Sequence, residues 1–309
     1  MDELPFSILI VNFNGQRHLP ACLAALEVQT IPRHRYEVIV IDNASTDGSA
    51  EDATARHPWI RVVRLPQNLG FAGGNNAGLA YLRGRHVVLL NNDTIPDPHW
   101  LEELASVVKP GMAVASKLVF ADEPATLNSA GLQLLRDGRG FDLGFRSRDD
   151  GRFEATRPVF AGCGAAMVVD RQTIGERLFD PRFFMYYEDL DAGWKAQLEG
   201  RSVTFAPRSL VRHVHGGSAG DESPLFRFHV ERNRTLASVQ NGDLFLAITA
   251  VLGQVARLAR AVLRLARGAE HPALVKAQAF AFLSMLRHLP ASLVVRSQRR
   301  NQEAFACAS

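Results

Sequence analysis

The chain has 309 residues, 47% of them hydrophobic and 22% charged, which excludes a disordered chain and suits one large α/β domain with an appendage or two modest domains. Its three cysteines, Cys22, Cys163 and Cys307, stand far apart without CxxC spacing; that argues against a disulfide framework or zinc site and for a reducing, cytoplasmic compartment. The net charge of +3 hides an asymmetry, with 23 basic against 28 acidic side chains over residues 1–224 and 12 against 4 over residues 225–309, and an acidic first part does not fit a nucleic-acid groove.

In chain order, the opening MDELPF carries acidic residues where a signal peptide needs basic ones, so no leader is expected. Ser7–Phe13 is β-rich and stops at the turn signal Asn14-Gly15. Leu19–Leu26 has helical spacing, Glu37–Ile41 reads as a second strand closed by Asp42-Asn43, and Ser49–His57 as a short helix. Arg61–Leu65 is a third strand, Gly73–Arg83 helical, His86–Leu90 a fourth strand stopped by Asn91-Asn92-Asp93, and Trp100–Val108 a helix. Strands that are continuous apolar runs, alternating with helices, predict a mostly parallel sheet covered on both faces.

Residues 120–157 are rich in Gly, Arg and Asp and read as an irregular insertion. Val159–Val169 returns to a strand-like pattern, Asp189–Leu198 is helical and Ser202–Phe205 is another strand. From about Leu225 the pattern is helical. Arg257, Arg260, Arg264 and Arg267 share one helix face, with Val251, Val255, Leu258, Val262 and Leu265 opposite. Such a helix suits a membrane interface or a surface helix packed on the body; Arg296, Arg299 and Arg300 add positive charge that favours anionic lipid. The longest uncharged apolar stretch, Leu244–Ala256, has 13 residues. A spanning helix needs about 20, so none is expected.

Ligands of open α/β sheets sit beyond the carboxyl ends of the strands. Three polar clusters fall there: Asn12–Gly15, Asp42–Gly48 and Asn91–Asp93. Each alone reads as a turn; three after buried strands predict one polar pocket. Asp93 is placed to hold a hard divalent ion or to cap the next helix. Asn68–Asn76 is a glycine-rich turn opening a helix, where backbone N–H groups approach a phosphate or ribose, without GxGxxG spacing. Glu188, Asp189 and Asp191 put three carboxylates just before a helix, either a general base of raised pKa or favourable helix-start charge. His213 and His215 flank Val214 in an extended segment and read either as structural histidines or as metal or phosphate contacts.

In this order and spacing, the segments ILIVNFNG, VIVIDNASTDGS, NLGFAGGNNAGL, LLNNDTIP, FAGCGAAMVVDR, FDPRFFMYYEDLDAGWKAQLEG, VRHVHGGS and ERNR resemble glycosyltransferase family 2. That family has a GT-A fold, and within it the chain resembles the bacterial rhamnosyltransferase-like members of cell-surface polysaccharide pathways. The resemblance covers residues 6 to about 235. It implies a GT-A domain over 1–235 and a C-terminal amphipathic helical region over 236–309.

The resemblance further implies an inverting transfer from a nucleotide-diphosphate sugar, rhamnose foremost, to a glycan or lipid-linked acceptor. Nucleotide contacts would come from Asn12, Asp42, Asn68, Gly70, Asn76 and Asn92. Asp93 and His213 would hold Mg²⁺ or Mn²⁺, and Asp189 would be the base, with Glu188, Asp191 and His215 as secondary candidates. Asn91 stands where the family's DXD-type motif has its first acidic residue, and Lys195 where many members have arginine. Two rivals remain at this level. One is a catalytically silent nucleotide-sugar-binding scaffold at the membrane. The other is a sugar-nucleotide pyrophosphorylase, which needs a basic loop that residues 8–15 lack.

Overall fold

The structure is a computed structural model that describes residues 4–214 and 223–306, with side chains up to residue 299. His215 lies outside the described residues.

The first half follows the βα alternation: β1 (Phe6–Asn12), α1 (Leu19–Glu27), β2 (Tyr36–Asp42), α2 (Ser49–Arg56), β3 (Arg61–Arg64), α3 (Gly70–Gly78) and β4 (His86–Leu90). After the short β5 (Thr94–Pro96) and α4 (Trp100–Val107) come β6 (Ala113–Phe120), β7 (Leu127–Ser129), β8 (Leu132–Leu134), β9 (Gly140–Asp142), β10 (Arg157–Val159) and β11 (Ala166–Asp170). Then follow α5 (Glu188–Leu198) and β12 (Val203–His213), and the chain closes with α6 (Pro224–Asn241), α7 (Leu244–Ala266) and α8 (Pro272–Ala306).

The main sheet runs β10-β12-β6-β11-β4-β1-β2-β3. β3, β2, β1 and β4 are mutually parallel, as the apolar runs of β1, β2 and β4 demand when helices cover both faces; β3, Arg-Val-Val-Arg, is the half-exposed edge. Ile8 and Ile10 bury on one face with Leu23, Val38 and Trp100, whereas Leu9 and Ile41 bury on the other with Ala72 and Leu89. The expected mostly parallel sheet is mixed beyond β4, because β11 lies antiparallel to both β4 and β6.

β6 was not legible in the sequence, where polar Ser116 and Lys117 interrupt its apolar run. Both are buried with partners: Ser116 accepts from Trp100 Nε1 at 2.9 Å, and Lys117 Nζ meets Asp149 and Glu154 at 2.6 Å each. The insertion over 120–157 likewise contains order, including β7 on the edge of β6 and the hairpin β8–β9.

Of the C-terminal helices, α6 is the most deeply set; the expected division at 235/236 falls within it. Helix α7 turns small side chains inward (Ala247, Ala250 and Ala261, with Gln254) and leaves Phe245, Ile248, Leu252, Val255, Val262 and Leu263 exposed. The expected arginine face is therefore partly turned to the protein: Arg257 Nε reaches Glu231 at 2.7 Å. Sequence pattern alone led to no spanning helix, but Leu244–Ala266 and Pro272–Arg299, with mean hydropathy 1.5 and 1.2, are long and apolar enough by length and composition.

Candidate active site

The parallel register aligns Asn12 with Asp42 at the carboxyl ends of β1 and β2. Asn12 is fully buried and acts as a hub. Its Nδ2 donates to Ser49 Oγ at 2.9 Å and Ser45 Oγ at 3.2 Å, and faces Asp42 Oδ1 at 3.5 Å. Its Oδ1 accepts from Asn92 Nδ2 at 2.8 Å, tying the end of β1 to the segment after β4. A Cβ on Gly15 would collide with both amides, so the glycine of NFNG makes room for this link.

Beside it, Asn43 orders the turn that opens α3. Asn43 Oδ1 accepts from the Leu69 N–H at 2.8 Å, and Nδ2 donates to Asn68 Oδ1 at 2.9 Å and to the Gly70 carbonyl at 3.0 Å. Asn68 Oδ1 also accepts from the Gly70 N–H at 2.8 Å. Gly70 opens α3 at φ +71°, with Phe184 packed where a Cβ would stand. Asn76, expected at the nucleotide, is instead occupied elsewhere: it donates to the Phe179 carbonyl at 2.8 Å and accepts from the Leu178 and Phe179 N–H groups at 3.0 Å.

Antiparallel pairing of β5 with β12 sets His213 opposite Thr94, and this register brings His213 Nε2 to 3.3 Å from Asp93 Oδ1. His213 Nδ1 lies 2.8 Å from Asn128 Oδ1. A ring that donates from Nδ1 to Asn128 presents its Nε2 lone pair towards Asp93, the tautomer that metal-binding histidines use. Asp93 Oδ1 is buried with no hydrogen-bond partner. This donor pair fits Mg²⁺ or Mn²⁺, which takes one or two protein groups and fills its shell with water and substrate phosphate. No group of three or more potential metal-ligating side chains gathers among the described residues.

The carboxylates at the start of α5 diverge. Asp189 Oδ2 accepts from the Gly164 N–H at 2.9 Å and Oδ1 from the Leu190 N–H at 2.7 Å. Burial raises its pKa, opposed by those N–H donors. Burial raises Glu188 further, with the Asp189 charge adding to it, and Glu188 Oε2 is buried without a hydrogen-bond partner. Asp191, a secondary candidate, faces away: it accepts from Asn241 Nδ2 at 2.6 Å and Gln240 Nε2 at 3.2 Å and lies near Arg299, all on the C-terminal helices. Helical geometry explains the divergence, since residues two apart point to different sides.

The chain reaches Asp189 through an unusual turn. Phe184, Tyr186 and Tyr187 have φ of 65°, 65° and 70°; each such residue costs about 1–3 kcal/mol and persists only where its surroundings over-determine it.

Two residues of the site were not anticipated from the sequence. Asn128 orients His213, as above. Asp142, at the end of β9, lies beside the Ser129 hydroxyl within electrostatic reach of Asp189 and His213, and burial pushes its carboxyl up to about 7. The Gly140 N–H donates to the Tyr187 hydroxyl at 3.3 Å, so the hairpin roofs the start of α5. Its signal was in the sequence: Asp137-Gly138 between two short alternating runs is a strong hairpin marker.

A half-parallel sheet with hydrogen-bonded amides at its strand ends, continued by a mixed half that brings together a carboxylate of raised pKa and a carboxylate–imidazole pair, is the GT-A architecture. The chain belongs to glycosyl transferase family 2, whose model matches residues 7–172. It is 28% identical over 244 residues to the N-acetylglucosaminyl-diphospho-decaprenol L-rhamnosyltransferase of Mycobacterium tuberculosis, covering 71% of this chain and 78% of that one. It is 24% identical to the low-salt glycan biosynthesis hexosyltransferase Agl10 of Haloferax volcanii, covering 77% and 76%. Among solved structures, the mannosyltransferase PcManGT from Pyrobaculum calidifontis in complex with GDP-Man and Mn²⁺ superposes with a TM-score of 0.55 at 17% identity, covering 92% of this chain and 86% of that one. GalNAc-T7 with UDP, GalNAc and Mn²⁺ gives 0.57 at 16% identity and covers 77% of this chain, which spans 50% of its length.

Proposed function

We propose that this glycosyltransferase inverts the anomeric centre as it moves a sugar, rhamnose foremost, from a nucleoside-diphosphate donor to a hydroxyl of a glycan or lipid-linked acceptor in cell-surface polysaccharide synthesis. The observation that carries this reading is the part-buried Asp189 carboxylate, held by two backbone N–H groups at 2.9 and 2.7 Å. A carboxylate of raised pKa, fixed in place, is suited to take the acceptor proton near neutral pH.

Asp42 and the Asn12 hub would hold the base and ribose, with the backbone of the Asn68–Gly70 turn close to the sugar or phosphates. Asp189 would accept the hydroxyl proton as that oxygen attacks from the face opposite the leaving group, and a single displacement inverts the centre. Mg²⁺ or Mn²⁺ held by Asp93 and His213 would offset the charge growing on the departing diphosphate. A screen of dTDP-rhamnose, UDP-hexoses and GDP-mannose for released nucleoside diphosphate, with and without chelator, tests the reading. Metal-dependent release is expected; release at full rate in chelator removes the metal, and no release from any donor favours the silent scaffold.

The C-terminal helices support a peripheral seat on the cytoplasmic face of a membrane. Exposed Phe245, Ile248 and Leu252 on α7 and Phe280, Leu283, Leu293 and Val294 on α8 form apolar surface beside exposed arginines. A groove of about 750 Å³ between α6 and α8 is lined by Phe228, Phe280 and Leu283 with Lys276 and Arg287, a mixture suited to a lipid phosphate. An interfacial seat fits better than a span because Gln254 is buried and Arg257 is committed to Glu231. Flotation with anionic vesicles tests it; if a chain lacking residues 240–309 floats equally well, the helices are not the anchor.

A further inference from the structure

The turn before Glu188 is held from beneath by α6. Phe184 (φ 65°, ψ −62°) centres a γ-turn of the rare positive-φ kind, closed by the Met185 N–H on the Phe183 carbonyl at 2.7 Å. The carbonyls of this stretch therefore crowd inward. Asn233, fully buried, donates from Nδ2 to the carbonyls of Phe183 at 2.9 Å, Met185 at 2.9 Å and Tyr186 at 2.7 Å. Arg232 donates to the carbonyls of Arg182 at 2.8 Å and Phe183 at 2.9 Å. Its Nε also donates to Asn233 Oδ1 at 2.8 Å, which fixes which end of the amide faces the turn.

The same turn touches both sides of the cleft. The Phe184 carbonyl accepts from the Ala72 N–H at 3.0 Å on the donor-side helix, and the Tyr187 carbonyl accepts from the Asp191 N–H at 2.9 Å to start α5. We propose that Arg232 and Asn233 are positioning residues for sugar transfer: they lock the Phe184–Tyr187 turn in its left-handed form, and the turn aims Asp189 at the acceptor while seating Phe184 against Gly70. This rests on the reading of Asp189 as base.

The control is on the same helix. Asn241 is also buried and bonded, but to Asp191, off the turn. Asn233→Ala and Asn241→Ala are compared in the full chain for thermal midpoint, donor KM and kcat, using whichever of dTDP-rhamnose, UDP-glucose and GDP-mannose the wild type turns over. Misplacement of a reacting group by an ångström costs about 100-fold, so Asn233→Ala is expected to lose kcat on that scale, while Asn241→Ala stays within about threefold at a similar loss of thermal midpoint. Arg232→Lys, which keeps the cation but loses the planar fork, carries the test if Asn233→Ala does not fold, with a kcat loss of at least about tenfold expected. Near-wild-type kcat in Asn233→Ala or Arg232→Lys, or an equal loss in Asn241→Ala, overturns the proposal. Asp189→Asn is run alongside: if it is active the base reading fails, whereas an inactive Asp189→Asn with an active Asn233→Ala sinks only the positioning role.

Discussion

Asp189 and Gly164 meet through a 2.9 Å hydrogen bond from backbone N–H to carboxylate, which joins the first turn of α5 to the loop before β11. The bond explains why two distant motifs, FAGCGAA and MYYEDLD, belong to one site. It also holds a carboxylate whose pKa burial has raised, and that has a consequence for pH dependence.

As the proposed base, Asp189 would work deprotonated, so kcat/KM should rise with pH through a limb lying above the usual carboxylate range. Glu188, raised further than Asp189, stays protonated while Asp189 ionises, so Glu188→Gln should leave that limb close to its wild-type position. Stability runs the other way. A carboxyl whose folded-state pKa is raised favours the fold at low pH, and that contribution is lost as pH rises through the folded value. Glu188→Gln should therefore raise the thermal midpoint at alkaline pH and gain little at acid pH. A wild-type limb within the ordinary carboxylate range would contradict the first expectation, and an equal gain at both extremes the second.

Asn128 offers a separate handle on the proposed metal. Removing the partner that orients a metal-binding histidine typically weakens metal affinity about 10–100-fold. Asn128→Ala should shift half-maximal Mn²⁺ activation by that factor with the maximal rate largely recovered at high Mn²⁺. An unchanged Mn²⁺ titration would detach His213 from the metal.

Gly70→Ala should be destabilising by about 1–3 kcal/mol, because alanine at φ +71° is strained and its Cβ meets Phe184. Chemical denaturation with and without donor nucleotide checks this; a neutral substitution would mean that the turn and Phe184 are less tightly set than the packing implies.

The apolar face of α7 carries a prediction of its own. Burying a Phe or Leu side chain contributes about 1.5–3 kcal/mol, so Phe245→Glu and Leu252→Glu should each weaken binding to anionic vesicles by about tenfold or more. Flotation unaffected by both would remove this face from the membrane.

In the parallel half of the sheet, β1, β2 and β4 were legible because each is an apolar run ended by Asn or Asp, and the Asn12 side chain ties those polar ends together. What the sequence hid was hidden for physical reasons. β6 contains Ser116 and Lys117, whose burial makes sense only once Trp100, Asp149 and Glu154 are beside them. Asn76 and Asp191 share the composition of site residues, but their amide and carboxylate are consumed by Phe179 and Asn241. Direction along a helix, rather than residue type, separates Asp189 from Asp191. The left-handed turn at Phe184–Tyr187 left no trace because it contains no glycine; its partners lie on α6.

The measurement that bears most directly on the central claim is single-turnover transfer by Asp189→Asn, with donor binding followed in the same preparation. Loss of a positioned general base typically costs about 100- to 10,000-fold, so transfer should fall by that factor while nucleoside-diphosphate affinity stays close to wild type. Transfer at the wild-type rate would contradict the account, because the carboxylate under Gly164 would then not be the group that accepts the proton.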